Sequence, residues 1–293
     1  MTSPKACAFL TTEELDGFVV DDELAVEPLR ALGWTVHHVP WRREEAWDRF
    51  RIVVIRSPWD YQDDPDEFLR VLQRIDSSSA RLENRLELVR WNLRKSYLRE
   101  LEGAGVDVLP SRWEDGFGAG RISAYLEELD AEEVVVKPVV GANADLTFRL
   151  SQASPRESLE AAERALADRE VLVQPFAPGI VTEGEYSLFF FQGALSHGIV
   201  KKPAPGDFRV QEEHGGTIRK AAPEAGMIRC ARRVFAAVGA VPLYARVDLV
   251  RREAGEFAVM EVELVEPSLY LRMDAMAPWR FAWAIDALSR ATR

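Results

Sequence analysis

Cysteine and histidine are scarce in this chain of 293 residues, which contains 2 Cys and 4 His. The two thiols, Cys7 and Cys230, are too few for a disulfide scaffold or a cysteine-rich zinc site. The histidines show no ligand spacing such as HxxxH, so we expect no zinc centre. The sequence also lacks the GxSxG and GxxxxGK motifs, which argues against a serine hydrolase of the α/β-hydrolase type and against a P-loop enzyme.

Basic charge and long apolar runs are lacking as well. The net charge of −11 disfavours unspecific binding to nucleic acid or to an anionic membrane. No apolar run approaches the ~20 residues of a membrane helix, and the N-terminal segment has no secretory-signal pattern. The hydrophobic fraction of 47% is too high for a disordered chain. We therefore expect a soluble, cytoplasmic α/β enzyme with no membrane or nucleic-acid partner; its oligomeric state stays open.

The N-terminal part alternates between short apolar strands and amphipathic helices. The pattern predicts strands at Ala6–Leu10, Thr35–Val39 and Arg51–Ile55, and helices at Asp22–Leu32 and Pro65–Ile75. This order is typical of a parallel sheet with right-handed crossovers. Ligands bind beyond the carboxyl ends of such strands. The candidate binding residues that follow the third strand are Arg56, Ser57, Trp59 and Tyr61.

The middle of the chain combines helical and extended patterns. Val89, Leu93, Tyr97 and Leu101 recur every four residues and predict a single helix, on which Lys95 lies off the apolar stripe. Further predicted features are a strand at Glu133–Pro138 that presents Lys137, a capping box at Ser154–Glu157 opening a helix to about Asp168, and a strand at Val171–Phe176.

The C-terminal part has the pattern of an antiparallel sheet. Strands are predicted at Glu185–Phe191 and Leu195–Lys201 around a Gln192-Gly193 turn, and at Leu243–Val250 and Glu256–Val265 around Ala254-Gly255. Helices at about Pro223–Val238 and Pro278–Leu288 would cover this sheet.

Three carboxylates on the last two strands form the most informative constellation. Glu261 and Glu263 share one strand face, with Met260, Val262 and Leu264 on the other, and Arg246 and Asp248 share a face of the preceding strand. If these strands pair, Asp248, Glu261 and Glu263 converge beside Arg246. Clustered carboxylates repel one another unless a cation neutralises them, and hard oxygen ligands suit Mg²⁺. The spacing alone favours a solvated polar face over a metal site.

Other candidates are individually ambiguous between a ligand contact and an ordinary surface residue. Lys95 and Lys137 suit phosphate contacts, but each also fits an exposed lysine. The Gln174-Pro175-Phe176 strand end followed by Glu185 suits an adenine edge and a ribose. Arg209, in a glycine-bearing stretch, suits a carboxylate or phosphate but also fits a surface loop.

The order of these signals is more specific than any one of them. Lys95, VVVKP, LVQPF, Gly184-Glu185, RVD and ExE in succession resemble the ATP-grasp superfamily, which includes glutathione synthetase and D-alanine–D-alanine ligase. The segments RSPW, VRWNLRKSYL, SHGIVK and ELVEPSL are similar to O-ureido-D-serine cyclo-ligase and its relatives. The resemblance implies an α/β (α+β) fold with a pre-ATP-grasp domain at 1–90, a lid subdomain at 91–173 and a C-terminal subdomain at 174–293.

The resemblance also implies roles for individual residues. Lys95, Lys137, Gln174, Phe176 and Glu185 would bind ATP, and Asp248, Glu261 and Glu263 would hold one or two Mg²⁺ ions, with Mn²⁺ as an alternative. Catalytic roles fall to Lys201, Arg209 and Arg246, and the acceptor pocket to Arg56, Ser57, Trp59, Tyr61, Glu266 and Ser268, although Trp59 equally fits a packing role. The lid loop, Val139–Thr147, departs from many relatives because Gly141 is its only glycine.

The implied function is an ATP- and Mg²⁺-dependent carboxylate–amine ligase that acts on a small amino-acid-like substrate through an acyl phosphate. Two alternatives stay open. One is a phosphotransferase with the same fold, and the other is a nucleotide-binding protein that has lost catalysis. The intact set of lysines, Arg246 and carboxylates speaks against the second alternative.

Overall fold

The computed structural model describes residues 5–141, 143–252 and 255–290. Met1–Pro4 of the N-terminal segment, Ala142 of the predicted lid loop and Ala254 of the predicted turn therefore lie outside the described residues. The described strands form three sheets, two of four strands and one of five. None of the described helices has the length and apolar character needed to cross a membrane.

The N-terminal sheet is parallel, as predicted. Its strands have the order β2-β1-β3-β4, and β1 and β3 are buried along their whole length, which explains their uninterrupted apolar sequences. The strands are β1 (Ala6–Thr11), β2 (Thr35–Pro40), β3 (Ile52–Ser57) and β4 (Arg81–Glu83). The predicted Asp22–Leu32 helix begins with a 3₁₀ turn at Asp22–Ala25 and continues as α1 (Val26–Ala31).

Helix α2 (Pro65–Asp76) follows from its local sequence. The Asp64 carboxylate accepts a hydrogen bond of 3.0 Å from the Glu67 amide, and Pro65 stands in the first turn. Phe68, Leu72 and Ile75, the predicted apolar stripe, are fully buried against the sheet. The prediction of this helix is confirmed.

The single helix predicted across Val89–Leu101 is wrong. The chain forms α3 (Leu86–Asn92) and α4 (Tyr97–Gly103), separated by a break. Tertiary hydrogen bonds stabilise the break: the Lys95 amide donates to the Val139 carbonyl at 2.9 Å, and the Asn92 side chain bonds Val262 O and Leu264 N at 2.7 Å. The four-residue apolar repeat persists across the break because its side chains stay buried on both sides.

The second sheet is antiparallel, with the order β5-β8-β6-β7. Its elements are β5 (Arg112–Glu114), α5 (Ile122–Glu128), β6 (Glu133–Pro138), β7 (Phe148–Ser151), α6 (Arg156–Leu166) and β8 (Val171–Pro175). The predicted capping box does not form among the described residues, because the Ser154 hydroxyl accepts a hydrogen bond from the Ser151 amide at 2.8 Å instead of capping α6.

The third sheet is antiparallel as well, with the order β11-β10-β9-β12-β13. Its elements are α7 (Gly179–Thr182), β9 (Glu185–Phe191), β10 (Ala194–Lys202), β11 (Thr217–Lys220), α8 (Ala225–Val238), β12 (Tyr244–Arg251), β13 (Phe257–Glu263) and α9 (Ala277–Arg290). Gln192 and Gly193 both have positive φ, which is the conformation of a two-residue type I′ hairpin turn.

Strands β12 and β13 pair in the register that the carboxylate prediction requires. Arg246 lies opposite Glu263, and Asp248 lies opposite Glu261. The register shifts between Asp248 and Leu249, which leaves Met260 as an extra residue on β13. Met260 therefore lines the same cavity as Glu261, and its predicted place on the opposite face is wrong.

Buried hydrogen bonds join the first and third sheets. The Asn84 side chain donates to Tyr244 O and Leu264 O at 2.9 and 2.7 Å, and it accepts from the Leu243 amide at 2.7 Å. The Tyr244 hydroxyl lies 2.7 Å from Ile55 O and 2.8 Å from Val265 O. These bonds hold the carboxyl end of β3 against the segment that follows β13. The predicted boundaries between domains stay a prediction.

Candidate active site

One large cavity opens where the third sheet faces the second sheet and the carboxyl end of β3. Its empty volume, including the open mouth, is about 1590 Å³. Fourteen of the seventeen site residues predicted from sequence line it. They are Trp59, Tyr61, Lys95, Lys137, Gln174, Glu185, Lys201, Arg209, Arg246, Asp248, Glu261, Glu263, Glu266 and Ser268.

Arg246 organises two carboxylates at the centre of the cavity. Its guanidinium donates to both Asp248 oxygens, from Nε at 3.0 Å and from Nη2 at 2.9 Å, and also to Glu263. The Ser187 hydroxyl adds a bond of 2.5 Å to Asp248. Burial raises the pKa of Asp248, but Arg246 and Lys201 outweigh it and hold that pKa below its usual value.

Lys201 joins Arg246 in neutralising this wall. Its ammonium pairs with Glu185 and lies 3.7 Å from Asp248, with all three side chains almost fully buried. Burial and Arg246 lower the pKa of Lys201, while Asp248 and Glu185 raise it above the ordinary value. We call Lys201, Arg246, Glu185, Asp248 and Glu263 the Arg246 cluster.

Lys95 lies inside the cavity, not on the solvent-facing side of a helix. Its ammonium is 2.8 Å from the Glu261 carboxylate and donates to the Gly141 carbonyl at 2.9 Å. The break between α3 and α4 carries it there, because the same residue's amide bonds Val139. Lys95 therefore ties the beginning of the lid loop to β13.

Lys137 is the lysine of the cavity without a counter-charge in contact. Among the residues that the structure describes, its ammonium forms no ion pair or hydrogen bond. Burial lowers the pKa of Lys137. A buried ammonium without an anion is unfavourable in the free protein, so this position suits an anionic ligand.

The cavity carries an excess of acid. Eight carboxylates and five cationic side chains line it. The acids are Asp145, Glu185, Glu212, Glu213, Asp248, Glu261, Glu263 and Glu266. Burial and the adjacent Asp248 and Glu261 raise the pKa of Glu263 to about 8, although Arg246 opposes them. The positive charge near Glu263 is therefore too small to offset its burial and the neighbouring carboxylates.

The three predicted metal ligands face one cavity but are paired with protein cations. Within the described ranges, no three His, Cys, Asp or Glu side chains are grouped closely enough to hold a metal ion. Arg246 instead pairs with Asp248 and Glu263, and Lys95 pairs with Glu261. The donor set nevertheless fits Mg²⁺, because its ligands are hard oxygens and its net charge is negative.

The cavity wall at the end of β8 combines the Gln174 amide with apolar side chains. The Gln174 amide donates to the Ser111 hydroxyl at 3.0 Å, and that hydroxyl donates to Leu109 O at 2.9 Å. Phe176 does not line the cavity with the other predicted site residues. Its amide donates to Glu133 O at 2.8 Å, and its ring packs under the Arg149 guanidinium and against Phe208.

Apolar residues that sequence reasoning missed complete this wall. The neighbours of Phe176, Pro175 and Ala177, do line the cavity. The further apolar lining includes Leu109, Val135, Ile180, Val210 and Met260. In the sequence these residues are indistinguishable from core residues; only the Gln-Pro-Phe strand end pointed to their neighbourhood.

The lid loop takes up the backbone conformations that glycine favours without containing the glycines. Asn143, Ala144 and Leu146 have φ of 51°, 54° and 49°. Positive φ at non-glycine residues costs on the order of 1–3 kcal/mol each. Lys95 holds the loop at Val139 and at Gly141, and the His214 ring makes a 3.4 Å contact with Asn143 O.

Arg209 reaches the cavity from the loop after β10. Its guanidinium pairs with Asp207 at 2.8 Å, and hydrogen bonds from Arg209 and from backbone amides hold the pKa of Asp207 far below its usual value. This pairing orients Arg209 while leaving it half-buried.

Two of the predicted acceptor residues are structural and do not line the cavity with the rest. Arg56 is 1% exposed, and its guanidinium donates to Asp22 at 2.9 Å and to Pro267 O at 3.0 Å. The Ser57 hydroxyl donates to the same Asp22 at 3.2 Å. The 3₁₀ turn at Asp22–Ala25 places this carboxylate over the carboxyl end of β3. Arg56 and Ser57 therefore contact Asp22 and not the cavity.

Trp59, Tyr61, Glu266 and Ser268 also line the cavity, and both Trp59 and Tyr61 contact Glu266. The Trp59 indole donates to Glu266 O at 3.0 Å and contacts the Phe18 ring, with centroids 5.1 Å apart. Burial raises the pKa of Glu266 to about 7, against the effects of Tyr61 and Lys95. Trp59 thus both packs and faces the cavity.

Known proteins share this architecture. The model of the D-cycloserine synthetase DcsG N-terminal domain matches residues 7–84. The chain is 32% identical to cycloserine biosynthesis protein DcsG of Streptomyces lavendulae over 280 residues, covering 89% of this chain and 91% of that protein.

Solved structures extend the likeness to three dimensions. The D-cycloserine synthetase DcsG crystal structure matches with a TM-score of 0.82 and 30% identity, over 97% of this chain and 100% of that one. D-alanine–D-alanine ligase from Bacillus anthracis, complexed with ATP, matches in fold with a TM-score of 0.68 and 16% identity, over 97% of each chain. The predicted superfamily and fold class are confirmed. The chain therefore belongs to the DcsG family of the ATP-grasp superfamily and is an ATP-grasp ligase.

Proposed function

We propose that this protein joins the carboxylate of a small amino-acid-like substrate to an amine, with ATP as the energy source and an acyl phosphate as the intermediate. The observation that carries the proposal is the convergence of Lys95, Lys137, Lys201 and Arg246 with the carboxylates of β12 and β13 in one cavity. Family membership supports the ligase chemistry, and the DcsG relative supports an amino-acid-like substrate.

We infer from the lining residues which part of the cavity would bind the nucleotide. The base would lie against the apolar wall around Ala177 and Met260, with Gln174 at its edge and Glu185 near the ribose. The phosphates would lie between the lid loop and Lys137. This ammonium gains a counter-charge only when an anion binds, so the interaction is stronger than at a lysine already paired.

ATP is itself highly anionic and would enter a cavity with an excess of carboxylates. This mismatch supports a divalent cation as part of the bound state. Asp248, Glu261 and Glu263 would hold Mg²⁺, which when bound offsets phosphate charge and orients the phosphates. Lys95 and Arg246 would then exchange their carboxylate partners for phosphate or substrate oxygens.

The chemical step makes few demands on the protein beyond positioning. The substrate carboxylate attacks the γ-phosphorus of ATP, and ADP leaves; Lys137, Lys201 and Arg209 stabilise the charge that develops. The amine attacks the resulting acyl carbon, and orthophosphate leaves. Arg246 would donate to the oxyanion of the tetrahedral species. The lid loop excludes water, because an acyl phosphate hydrolyses readily.

The test is product analysis with the purified chain, ATP, Mg²⁺ and pools of amino acids and dipeptides. We expect substrate-dependent release of ADP and orthophosphate together with a condensed product in the mass spectrum. Lys137→Met should lower the release by about 100- to 1000-fold, and the exposed-lysine control Lys220→Met should retain it. A stable phosphorylated product without condensation would instead establish a phosphotransferase, and folded, ATP-binding protein that shows no turnover with any pool would refute catalysis of this kind.

A further inference from the structure

Glu266 differs from the other carboxylates of the cavity in its partners. Glu185, Asp248, Glu261 and Glu263 each form an ion pair with a lysine or arginine, whereas Glu266 forms none among the described residues. Asp145 and Glu213 also lack a cationic partner there, but both are exposed. Glu266 is thus the half-buried cavity carboxylate whose charge the protein leaves uncompensated.

The surroundings of Glu266 are rigid. Its carbonyl accepts the Trp59 indole at 3.0 Å, and the next carbonyl, of Pro267, accepts Arg56 at 3.0 Å. Arg56 is in turn fixed by the buried Asp22. The Arg56–Asp22 pair therefore positions the Glu266 segment without facing the cavity itself.

The chemistry beside Glu266 suits a cationic ligand. Trp59 and Tyr61 line the cavity at the same end, and their aromatic rings attract an ammonium in addition to the carboxylate. The titratable groups around Glu266 are Tyr61 from the 3₁₀ turn at Tyr61–Asp63, Lys95 from the α3–α4 break, Arg246 from β12, and Glu261 and Glu263 from β13. Burial raises the pKa of Glu266 to about 7, which is favourable for a proton acceptor near neutral pH.

We infer that Glu266 binds the ammonium group of the amine substrate beside Trp59 and Tyr61 and accepts its proton. This inference rests on the proposed ligase function and adds to it the residue that binds and deprotonates the amine substrate. One N–H proton passes to the Glu266 carboxylate, and the freed nitrogen lone pair forms the C–N bond to the acyl carbon. The C–O bond to phosphate then breaks, orthophosphate leaves with the electron pair, and the second proton of the new C–N nitrogen passes to the departing phosphate.

The experiment compares two nucleophiles in Glu266→Gln. Hydroxylamine is uncharged at neutral pH and needs no deprotonation before it attacks, whereas the amino group of an amino acid is an ammonium and does. The wild type is given ATP, Mg²⁺ and the common L- and D-amino acids, singly and in pairs, with and without hydroxylamine. Amide and hydroxamate products are measured separately by mass spectrometry, and the exposed-residue variant Glu157→Gln is the matched control.

We expect Glu266→Gln to lower kcat/KM for amide formation by about 100-fold or more while hydroxamate formation is unchanged. Glu266→Asp, which keeps the charge, should restore part of the amide rate, and ATP affinity should be the same in all variants. Equal loss of both products, or no loss of the amide, would overturn the role of Glu266. Failure of the wild type to form either product would refute the ligase function itself, so the two failures are distinguishable.

Discussion

Two buried groups of charged residues, at the ends of neighbouring sheets, differ in their balance of charge. In the Arg56–Asp22 pair, one guanidinium and one carboxylate satisfy each other, with Ser57 and Pro267 O completing the hydrogen bonds. In the Arg246 cluster, two cations face three carboxylates, and further unpaired groups lie beside it in the same cavity. A balanced pair has no remaining demand for a ligand, whereas an unbalanced cluster gains from one.

The comparison explains why both groups looked alike in the sequence. Each contains an arginine and a polar residue on an otherwise apolar strand, with Arg56 at the carboxyl end of β3 and Arg246 near the beginning of β12. The difference arises from Asp22, which lies far from Arg56 in the chain and is brought to it by the 3₁₀ turn. Whether such a group of residues attracts a ligand therefore depends on the charge that its ion pairs leave unbalanced, and not on its residue types.

Removing one member of the balanced pair should have the largest effect. We expect Asp22→Asn to lower the free energy of unfolding by about 3–5 kcal/mol, because Arg56 is left buried without a counter-charge. Chemical denaturation measures this loss. The double variant Arg56→Met/Asp22→Leu should lose less, since no unpaired charge remains, and a single variant as stable as the wild type would contradict the structural role of the pair.

Lys137→Met should affect binding instead of stability. We expect turnover to fall by about 100- to 1000-fold, because a preorganised cation for the phosphates is lost. The free energy of unfolding should stay the same or rise, since burial disfavours the charged lysine in the folded state. Calorimetric titration with ATP measures the change in binding, and chemical denaturation measures the change in the free energy of unfolding. If the variant binds ATP as the wild type does but is less stable, Lys137 stabilises the fold and does not bind the phosphates.

His197 supplies a third case, a buried ionisable group held neutral. Burial lowers its pKa from 6.5 to about 4, while its ring bonds Leu269 O at 3.1 Å and stacks on Phe189. As pH falls below 6.5, the unfolded chain takes up a proton that the folded protein resists until about pH 4. Stability contributed by this group should therefore decline by up to about 3 kcal/mol across that window.

The variant His197→Gln isolates this contribution. Its unfolding free energy, measured from pH 7 to pH 4, should fall less steeply than that of the wild type. Identical slopes in the two proteins would show that His197 has the same proton affinity folded and unfolded.

Glu263→Gln should have the smallest effect on stability and is the direct counterpart of Asp22→Asn. Burial and the neighbouring carboxylates raise the pKa of Glu263, which shows that its charge is disfavoured there, and the amide oxygen of Gln can still accept a hydrogen bond from Arg246. We expect a change of less than about 1 kcal/mol in the unfolding free energy without Mg²⁺. Affinity for ATP in the presence of Mg²⁺ should decrease. A loss as large as that of Asp22→Asn would remove the distinction between the two groups.

The regular elements could be predicted from local pattern to a large extent. The parallel strands, α2, the Gln192-Gly193 hairpin and the pairing of β12 with β13 are confirmed. The errors occur where another hydrogen bond, distant or local, competes with the predicted one. Lys95 bonds Val139 and interrupts a helical repeat, and Ser154 bonds Ser151 instead of capping α6.

In the candidate site, too, some features could be predicted from the local sequence and others depend on tertiary contacts. The order of lysine, arginine and carboxylate motifs predicted the cavity lining, because strand alternation and hairpin pairing determine which side chains share a face. The extra residue at Met260, the sheet bond of the Phe176 amide and the closure of Arg56 by Asp22 could not be predicted, since each depends on a partner or a register shift set elsewhere.

The sequence by itself determined the superfamily, the strand and helix order and the types of residue in the cavity, because these follow from periodicity and motif order along the chain. Tertiary structure alone decided which charges are neutralised by the protein and which are left for a ligand. Asp22 satisfies Arg56, Lys95 satisfies Glu261, and Lys137 and Glu266 remain uncompensated among the described residues. Electrostatic energy depends on distances in space, so only the folded arrangement distinguishes a structural ion pair from a binding site.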